Sequence, residues 1–375
     1  MSDWKEFKLG EIAEINMGQS PESRYYNIKG EGLPFLQGNR TFGLRHPSFD
    51  TYCTDPKKIA KRGEILFSVR APVGDINIAT TEICIGRGLA SLKSKFDNNV
   101  YLFYLLHYIK REIINNESGT VFGSVNKIDL ENIKVLIPDI NEQNEIAEIL
   151  SSLDDKINLL HRQNKTLEQI AETLFRQWFV EEAEDSWEEK NLDDIAEFLN
   201  GLACQKYPIK IGEIGLPVIK IKELRTGITE SSDKATYEIP EKFLIKNGDM
   251  LFSWSGSLDV LIWSGGEGVL NQHLFKVSSD EYSQWFYYFW VKYHLPEFQD
   301  IALDKATTMG HIQRHHLSDA KVLIPPKFKM KEMDEIINPI FEKIKLNQIQ
   351  IHSLTKLRDT QLPKLMSGEV MIEKL

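Results

Sequence analysis

Cysteine is scarce in this chain: three in 375 residues, Cys53, Cys84 and Cys204, far apart in sequence. They match no metal-ligand spacing and cannot all pair, which excludes a disulfide framework and fits a reduced, cytoplasmic setting. No apolar run reaches the roughly eighteen residues a membrane span needs, so none is expected. The opening residues Met1-Ser2-Asp3-Trp4-Lys5-Glu6 carry no secretory apolar core. Catalytic signatures are missing too. There is no Asn-Pro-Pro-aromatic run of a methyltransferase and no Gly-x-x-x-x-Gly-Lys-Ser/Thr phosphate loop, and Gly86-Arg87-Gly88 is too short for a cofactor loop. His311, His315 and His316 lie close in sequence without a nearby cysteine, which favours solvent- or DNA-facing histidines over a metal site. Asp75 and Glu82 resemble paired carboxylates, but no lysine stands at nuclease spacing. The chain reads as non-catalytic, with no metal or cofactor of its own.

What is present begins with charge. The net charge is −10, and its distribution says more than its sum. Residues 1–138 hold 18 Lys/Arg against 16 Asp/Glu, and 139–186 hold 4 against 12. Residues 187–325 hold 14 against 20, and 326–375 hold 9 against 7. Much of the acid therefore lies in 139–186, a poor surface for DNA and a good one for solvent or a protein partner.

The chain is an internal repeat. Trp4-Lys5-Glu6 recurs as Trp187-Glu188-Glu189, and Leu9-Gly10-Glu11-Ile12-Ala13-Glu14 as Leu192-Asp193-Asp194-Ile195-Ala196-Glu197. Gly32-Leu33-Pro34 returns as Gly215-Leu216-Pro217, and Gly63-Glu64-Ile65-Leu66-Phe67-Ser68 as Gly248-Asp249-Met250-Leu251-Phe252-Ser253. Lys134-Val135-Leu136-Ile137-Pro138 returns unchanged as Lys321-Val322-Leu323-Ile324-Pro325. The offset drifts slowly from 183 to 187 while the order is kept, as a duplication with small insertions would leave it.

Each half then ends in a long amphipathic stretch. At alternating steps of four and three stand Ile146, Leu150, Leu153, Ile157, Leu160, Asn164, Leu167, Ala171, Leu174 and Trp178. The second copy gives Met333, Ile337, Ile340, Ile344, Asn347, Ile351, Leu354, Arg358, Gln361 and Leu365. This spacing is the seam of a helix packed lengthwise on another helix. A helix over 142–179 would be roughly 57 Å long at about 1.5 Å per residue. The expected fold class is α+β: two similar mixed α/β domains joined by two long helices in an antiparallel coiled coil, with a pseudo-twofold repeat. The expected divisions are 1–138, 139–186, 187–325 and 326–375. A polar seam residue fixes register, and an antiparallel pairing puts Asn164 opposite Asn347, so these side chains are expected to meet.

Inside each globular part the pattern predicts a short helix at Leu9–Ile15, strands at Leu33–Gln37, Glu64–Val69 and Cys84–Leu92, and a strand at Lys134–Ile137. An aromatic-rich helix is expected over Val100–Ile114, echoed at Tyr282–His294. Pro138 and Pro325 mark the entries to the long helices. Pro339 predicts a kink or late start in the second, with Asn338 as its cap.

The duplicated module resembles the DNA-specificity subunit of type I restriction–modification enzymes. So do the run Ile137-Pro138-Asp139-Ile140-Asn141-Glu142-Gln143 opening a long helix and Leu362-Pro363-Lys364-Leu365-Met366-Ser367-Gly368-Glu369 near the end. One departure is plain: the second helix opens Ile324-Pro325-Pro326-Lys327-Phe328-Lys329-Met330-Lys331, without the Glu-Gln pair. The resemblance implies two target-recognition domains, each reading half of a bipartite double-stranded DNA target, with the helices setting the gap. It implies docking of methyltransferase subunits, two by symmetry, and of restriction/translocase subunits. S-adenosylmethionine, ATP and Mg are then expected on those partners.

Base-reading residues are chosen by chemistry: Arg reads guanine, Asn and Gln read adenine, and Gly loops let backbone approach phosphate. In the first half these are Gln37, Asn39 and Arg40, then Arg70, Arg87, Asn126 and Lys127. In the second they are Lys220, Lys222, Arg225, Ser255, Asn271, Gln272, His273, Gln313 and Arg314. The aromatic groups at Tyr101–Tyr108 and Trp285–Tyr293, at helical spacing, read as core rather than as base-stacking platforms. Two other readings remain: a coiled-coil assembly scaffold without DNA recognition, favoured by the acidic second half, and a stand-alone nuclease, excluded if Mg²⁺ and plasmid give no nicks.

Overall fold

The structure is a computed structural model that describes residues 4–115, 123–304 and 310–370. Contacts divide it into two units, one of residues 1–155 with 355–375, the other of 156–354.

In the first unit, strand Lys5–Lys8 pairs antiparallel with Lys134–Ile137, tying the start of the domain to the entry of its long helix. The central sheet has the order Ala13–Met17, Leu89–Ser94, Ile65–Ser68, Ile76–Ile78, all antiparallel. Helix Asn99–Asn115 buries Tyr101 through Leu106 in the same core as Ile65, Phe67 and Leu92, because its apolar residues occupy nearly every position of two turns. A second sheet runs Tyr26–Asn27, Tyr52–Cys53, Leu33–Leu36, Ile83–Ile85, Ile59–Ala60, with Leu33–Leu36 and Ile83–Ile85 parallel.

The second unit repeats this plan. Glu188–Asn191 pairs with Lys321–Ile324. The central sheet runs Glu197–Asn200, Leu274–Ser278, Met250–Ser253, Asp259–Ile262. In the small sheet, Leu216–Ile219 again lies parallel to its neighbour, Gly268–Leu270. Even a close approach is copied: a Cβ on Gly18 would sit 2.2 Å from the carbonyl oxygen of Gly86, and one on Gly201 2.2 Å from that of Asn271. Only glycine fits there in either copy.

The long helices are Ile140–Arg176, continued by a π turn at Gln177–Glu181, and Lys327–Met366. They run antiparallel in each unit: Arg358 meets Asp154 in the first, and Asn347 meets Asn164 in the second. Asn347 Nδ2 donates to Asn164 Oδ1 at 2.8 Å, and Asn164 Nδ2 to the Ile344 carbonyl at 3.1 Å. Both asparagines are buried, and these hydrogen bonds offset part of the desolvation of their amides; Asn347 Oδ1 has no partner among the described residues.

Three local expectations need correction. The first short helix is Leu9–Ile12, and Ala13–Met17 is a strand whose partner, Leu89–Ser94, no local pattern reveals. Cys84–Leu92 is two strands in two sheets, broken at Gly86-Arg87-Gly88. The second long helix starts at Lys327 and passes through Pro339, with Asn338 inside it rather than capping it. Pro339 is exposed; it has no N–H to donate to the preceding turn, and its ring crowds the Glu335 carbonyl.

Candidate nucleic-acid interface

In the first unit four loops meet where the two sheets adjoin. Gly88 N–H donates to the Gln37 carbonyl at 3.1 Å, Val69 N–H to the Gly88 carbonyl at 2.9 Å, and Val125 N–H to the Val69 carbonyl at 3.0 Å. Arg70 and Ser124 form a bridge, and the Ser20 hydroxyl donates to Gln37 Oε1 at 2.9 Å. Backbone bonding alone thus gathers Gln37, Arg70, Arg87 and the segment leading to Asn126.

The candidate side chains differ in how free they are. Arg70 and Arg87 are exposed and make no side-chain hydrogen bond or ion pair among the described residues. Gln37 is exposed, and among the described residues its side chain is hydrogen-bonded to Ser20 alone. Asn39 donates to Asp75 Oδ2 at 2.6 Å, and Asn126 caps helix Lys127–Glu131 through the Asp129 N–H. Arg40 holds Asp50 at 2.7 Å, and that hydrogen bond keeps the Asp50 carboxyl below its ordinary range. Lys127 pairs with Glu131 at 3.5 Å. Exposed pairs of this kind add little stability, so a phosphate can replace the carboxylate at small cost.

The second unit assembles the equivalent loops. Ser255 bridges His311, and Ile312 N–H donates to the Trp254 carbonyl at 3.0 Å. Ser255 is buried, and its hydroxyl lies 3.0 Å from His273 Nδ1. Gln272 Nε2 lies 3.3 Å from His273 Nε2. Asn271 is buried, its Oδ1 accepting the His273 N–H at 3.3 Å. Ser255 and Asn271 are therefore turned inward and orient His273. Arg225 meets the Ser257 hydroxyl, and Lys222 donates to Ser231 at 3.0 Å. Lys220 pairs with Asp233, and that contact holds the Asp233 carboxyl below its ordinary value. Gln313 precedes helix Arg314–Asp319, with its N–H donating to His316 Nδ1 at 3.0 Å, and Arg314 reaches the Phe198 carbonyl at 3.4 Å.

Two residues escaped the sequence reading. Trp254 is half-buried among these loops, its ring 5.9 Å from that of His273 and 6.3 Å from that of His311, and its indole donates to Asn200 Oδ1 at 3.0 Å. Ser20 links Gln37 to the Arg87 N–H. The signal for Trp254 was its place beside Ser255, at the repeat position of the buried Val69. Among the described residues, no three His, Cys, Asp or Glu side chains gather to hold a metal, and no helix is long and apolar enough to cross a membrane.

A duplicated α+β domain bearing loop clusters of this kind defines a class, that of two-headed recognition subunits. The model of the type I restriction modification DNA specificity domain matches residues 1–169 and again 184–356. The chain belongs to that family, and it is a non-catalytic specificity subunit rather than an enzyme. It is similar to the type I restriction enzyme MjaIX specificity subunit of Methanocaldococcus jannaschii, 26% identical across 100% of this chain and 95% of that one. A putative MjaX specificity subunit from the same organism is 45% identical over 170 residues, 44% of this chain and only 40% of that protein. The fold is similar to the crystal structure of the type I restriction-modification S subunit from M. genitalium, with TM-score 0.66, 16% identity and coverage of 97% and 96%.

Proposed function

We propose that each unit reads one half of a bipartite double-stranded DNA target through its loop cluster. The observation that carries this is the repeated gathering of loop side chains, exposed Gln37, Arg70 and Arg87 in the first unit and half-buried Gln272 and His273 in the second, by the same backbone bridges, Arg70 to Ser124 and Ser255 to His311. Arg70, Arg87 and Gln37 are the readers in the first unit; His273, Gln272, Arg225 and Gln313 are those in the second. Arg40, Lys127, Lys220, Lys222 and Arg314 hold phosphate, while Asn39, Asn126, Ser255 and Asn271 keep the loops in shape. The long helices seat two methyltransferase subunits, and restriction/translocase subunits complete the assembly. S-adenosylmethionine, ATP and Mg belong to those partners. The buried free thiols of Cys53, Cys84 and Cys204 suit the cytoplasm.

Sequencing adenine methylation in cells carrying this chain and its partners tests the reading. A two-part motif should appear, and exchanging residues 4–138 for those of a relative should change one part only. Both parts unchanged after that exchange would refute the division of labour. Arg87→Ala should weaken binding to the cognate duplex by about 10- to 100-fold, the size of one lost base contact. The loss should fall on one arm of the motif. A protein scaffold without DNA recognition would show no salt-dependent affinity for duplex, whereas a DNA reader loses affinity steeply with salt.

A further inference from the structure

The two long helices begin differently. At the first, Asp139 Oδ1 accepts the N–H groups of Asn141 and Glu142 at 2.8 and 3.1 Å. Glu142 Oε1 accepts the Trp4 indole N–H at 3.3 Å. The second helix has Pro326 where the first has Asp139 and Lys329 where the first has Glu142, at the offset of 187 that aligns Pro138 with Pro325. Pro326 has no side-chain acceptor, and no side chain among the described residues accepts from the N–H groups of Lys327, Phe328 or Lys329. Trp187, the counterpart of Trp4, is 7% exposed, and its indole nitrogen has no partner among the described residues. Lys329 stands over the Trp187 ring and pairs with Glu184.

Two of these donor residues, Trp187 and Lys327, line one cleft of about 530 Å³, together with Lys190, Tyr282, Pro326 and Lys331 among others. Lys327 and Lys331 are exposed and unpaired among the described residues. Three carboxylates also line the cleft, each already engaged within the chain. Asp334 accepts from Trp285, Glu188 lies 4.0 Å from Lys190, and Glu281 meets the Tyr282 hydroxyl. The cleft therefore offers unmet donors at the positive end of a 40-residue helix. The first unit shows which chemistry satisfies that set, since its own carboxylates do so.

We propose that this cleft accepts a carboxylate-bearing segment of a partner protein, which supplies the acceptors that Asp139 and Glu142 supply within the first unit. The proposal rests on the docking reading above and makes the two docking ends unequal: one closed by the chain itself, the other completed by its partner. A carboxylate fits better than a nucleic-acid phosphate because the occupant of the equivalent position in this same chain is a carboxylate.

The test uses the full chain, two variants and two probes. Pro326→Asp provides an in-chain cap; Trp187→Phe keeps an aromatic ring and removes the indole N–H. Binding of the system's methyltransferase subunit is measured by calorimetry. Wild type should take up two copies, while each variant keeps one site and loses about tenfold or more at the other, the worth of one charge-assisted hydrogen bond. Pro326→Asp should also raise the melting midpoint of the free chain, which separates lost docking from lost folding. Independently, the Trp187 indole resonance, assigned by its absence in Trp187→Phe, should shift on titration with a glutamate-rich peptide and stay put with duplex DNA. Unchanged docking in both variants, a still resonance with peptide, or a shift with DNA alone would each overturn the proposal. If wild type binds no methyltransferase subunit, the docking reading fails, and the peptide titration still decides the cleft.

Discussion

The two units seat the long helices by opposite chemistry at equivalent positions. In the first, the Tyr104 hydroxyl donates to Asp154 Oδ2 at 2.7 Å, and Arg358 Nη1 donates to Asp154 Oδ1 at 2.8 Å. Carrying Tyr104, Asp154 and Arg358 along the repeat gives Phe289, Phe341 and Ala171. There the rings of Phe289 and Phe341 lie 6.0 Å apart, Phe175 packs 5.7 Å from Phe289, and Ala171 is fully buried. One seat is a hydrogen-bonded ion pair and the other an aromatic cluster, on the same backbone plan. A duplicated fold therefore specifies where a seam is buried, not what fills it. The polar seat has demanding geometry and large penalties when half-removed; the apolar seat tolerates imperfect angles but needs its volume filled.

The comparison can be broken most sharply by truncation. Phe341→Ala should lower unfolding free energy by about 3–5 kcal/mol, as a buried aromatic lost without refilling does, read from urea midpoints. Asp154→Ala should lower it by about 2–4 kcal/mol, toward the lower part because Arg358 keeps 28% of its side-chain surface in water. A smaller loss for Phe341→Ala than for Asp154→Ala would reverse the ranking of the two seats. Grafting the second seat onto the first, with Tyr104→Phe, Asp154→Phe and Arg358→Ala together, should be neutral or stabilising by about 1–4 kcal/mol, as replaced buried ion pairs often are. A loss as large as that of Asp154→Ala alone would show that the ion pair is required where it stands.

The smallest effect is in pH. Burial holds His107 down to about 4, helped by the nearby charges of Lys110 and Arg358. Its folded value lies below the ordinary 6.5, so the fold favours neutral imidazole. As pH falls from 6.5 toward 4 the unfolded chain takes up a proton that the folded chain refuses, and stability drops across that window. The repeat equivalent is Lys292, already cationic and paired with Glu172. His107→Phe should flatten the decline in denaturation midpoint between pH 7 and pH 5 relative to wild type; an unaltered slope would sink this assignment.

Much of the plan could be read before any coordinates. Lys134–Ile137 was readable because alternation and a following proline define a strand end, and the heptad positions Ile146, Leu150, Ile337 and Ile344 are buried as their spacing requires. Ala13–Ile15 was misread because a short apolar run suits helix and strand alike until its partner is known. Of the candidate side chains, Gln37, Arg70 and Arg87 stand exposed and His273 half-buried on the loop clusters, and composition did not tell these orientations apart. Ser255 and Asn271 have the composition of readers and are buried, whereas Trp254 has the composition of core and stands among the loops.

The sequence by itself determined that there are two copies of one module, each ending in a helix with a continuous apolar ridge, because periodicity and repetition are properties of neighbours along the chain. Tertiary structure decided which polar ridge residues are satisfied and by whom. Asp154 finds Arg358 204 positions away, and Asn164 finds Asn347 183 positions away. The stability of a buried charge or amide depends on the partner that folding brings to it, and no local pattern carries that information.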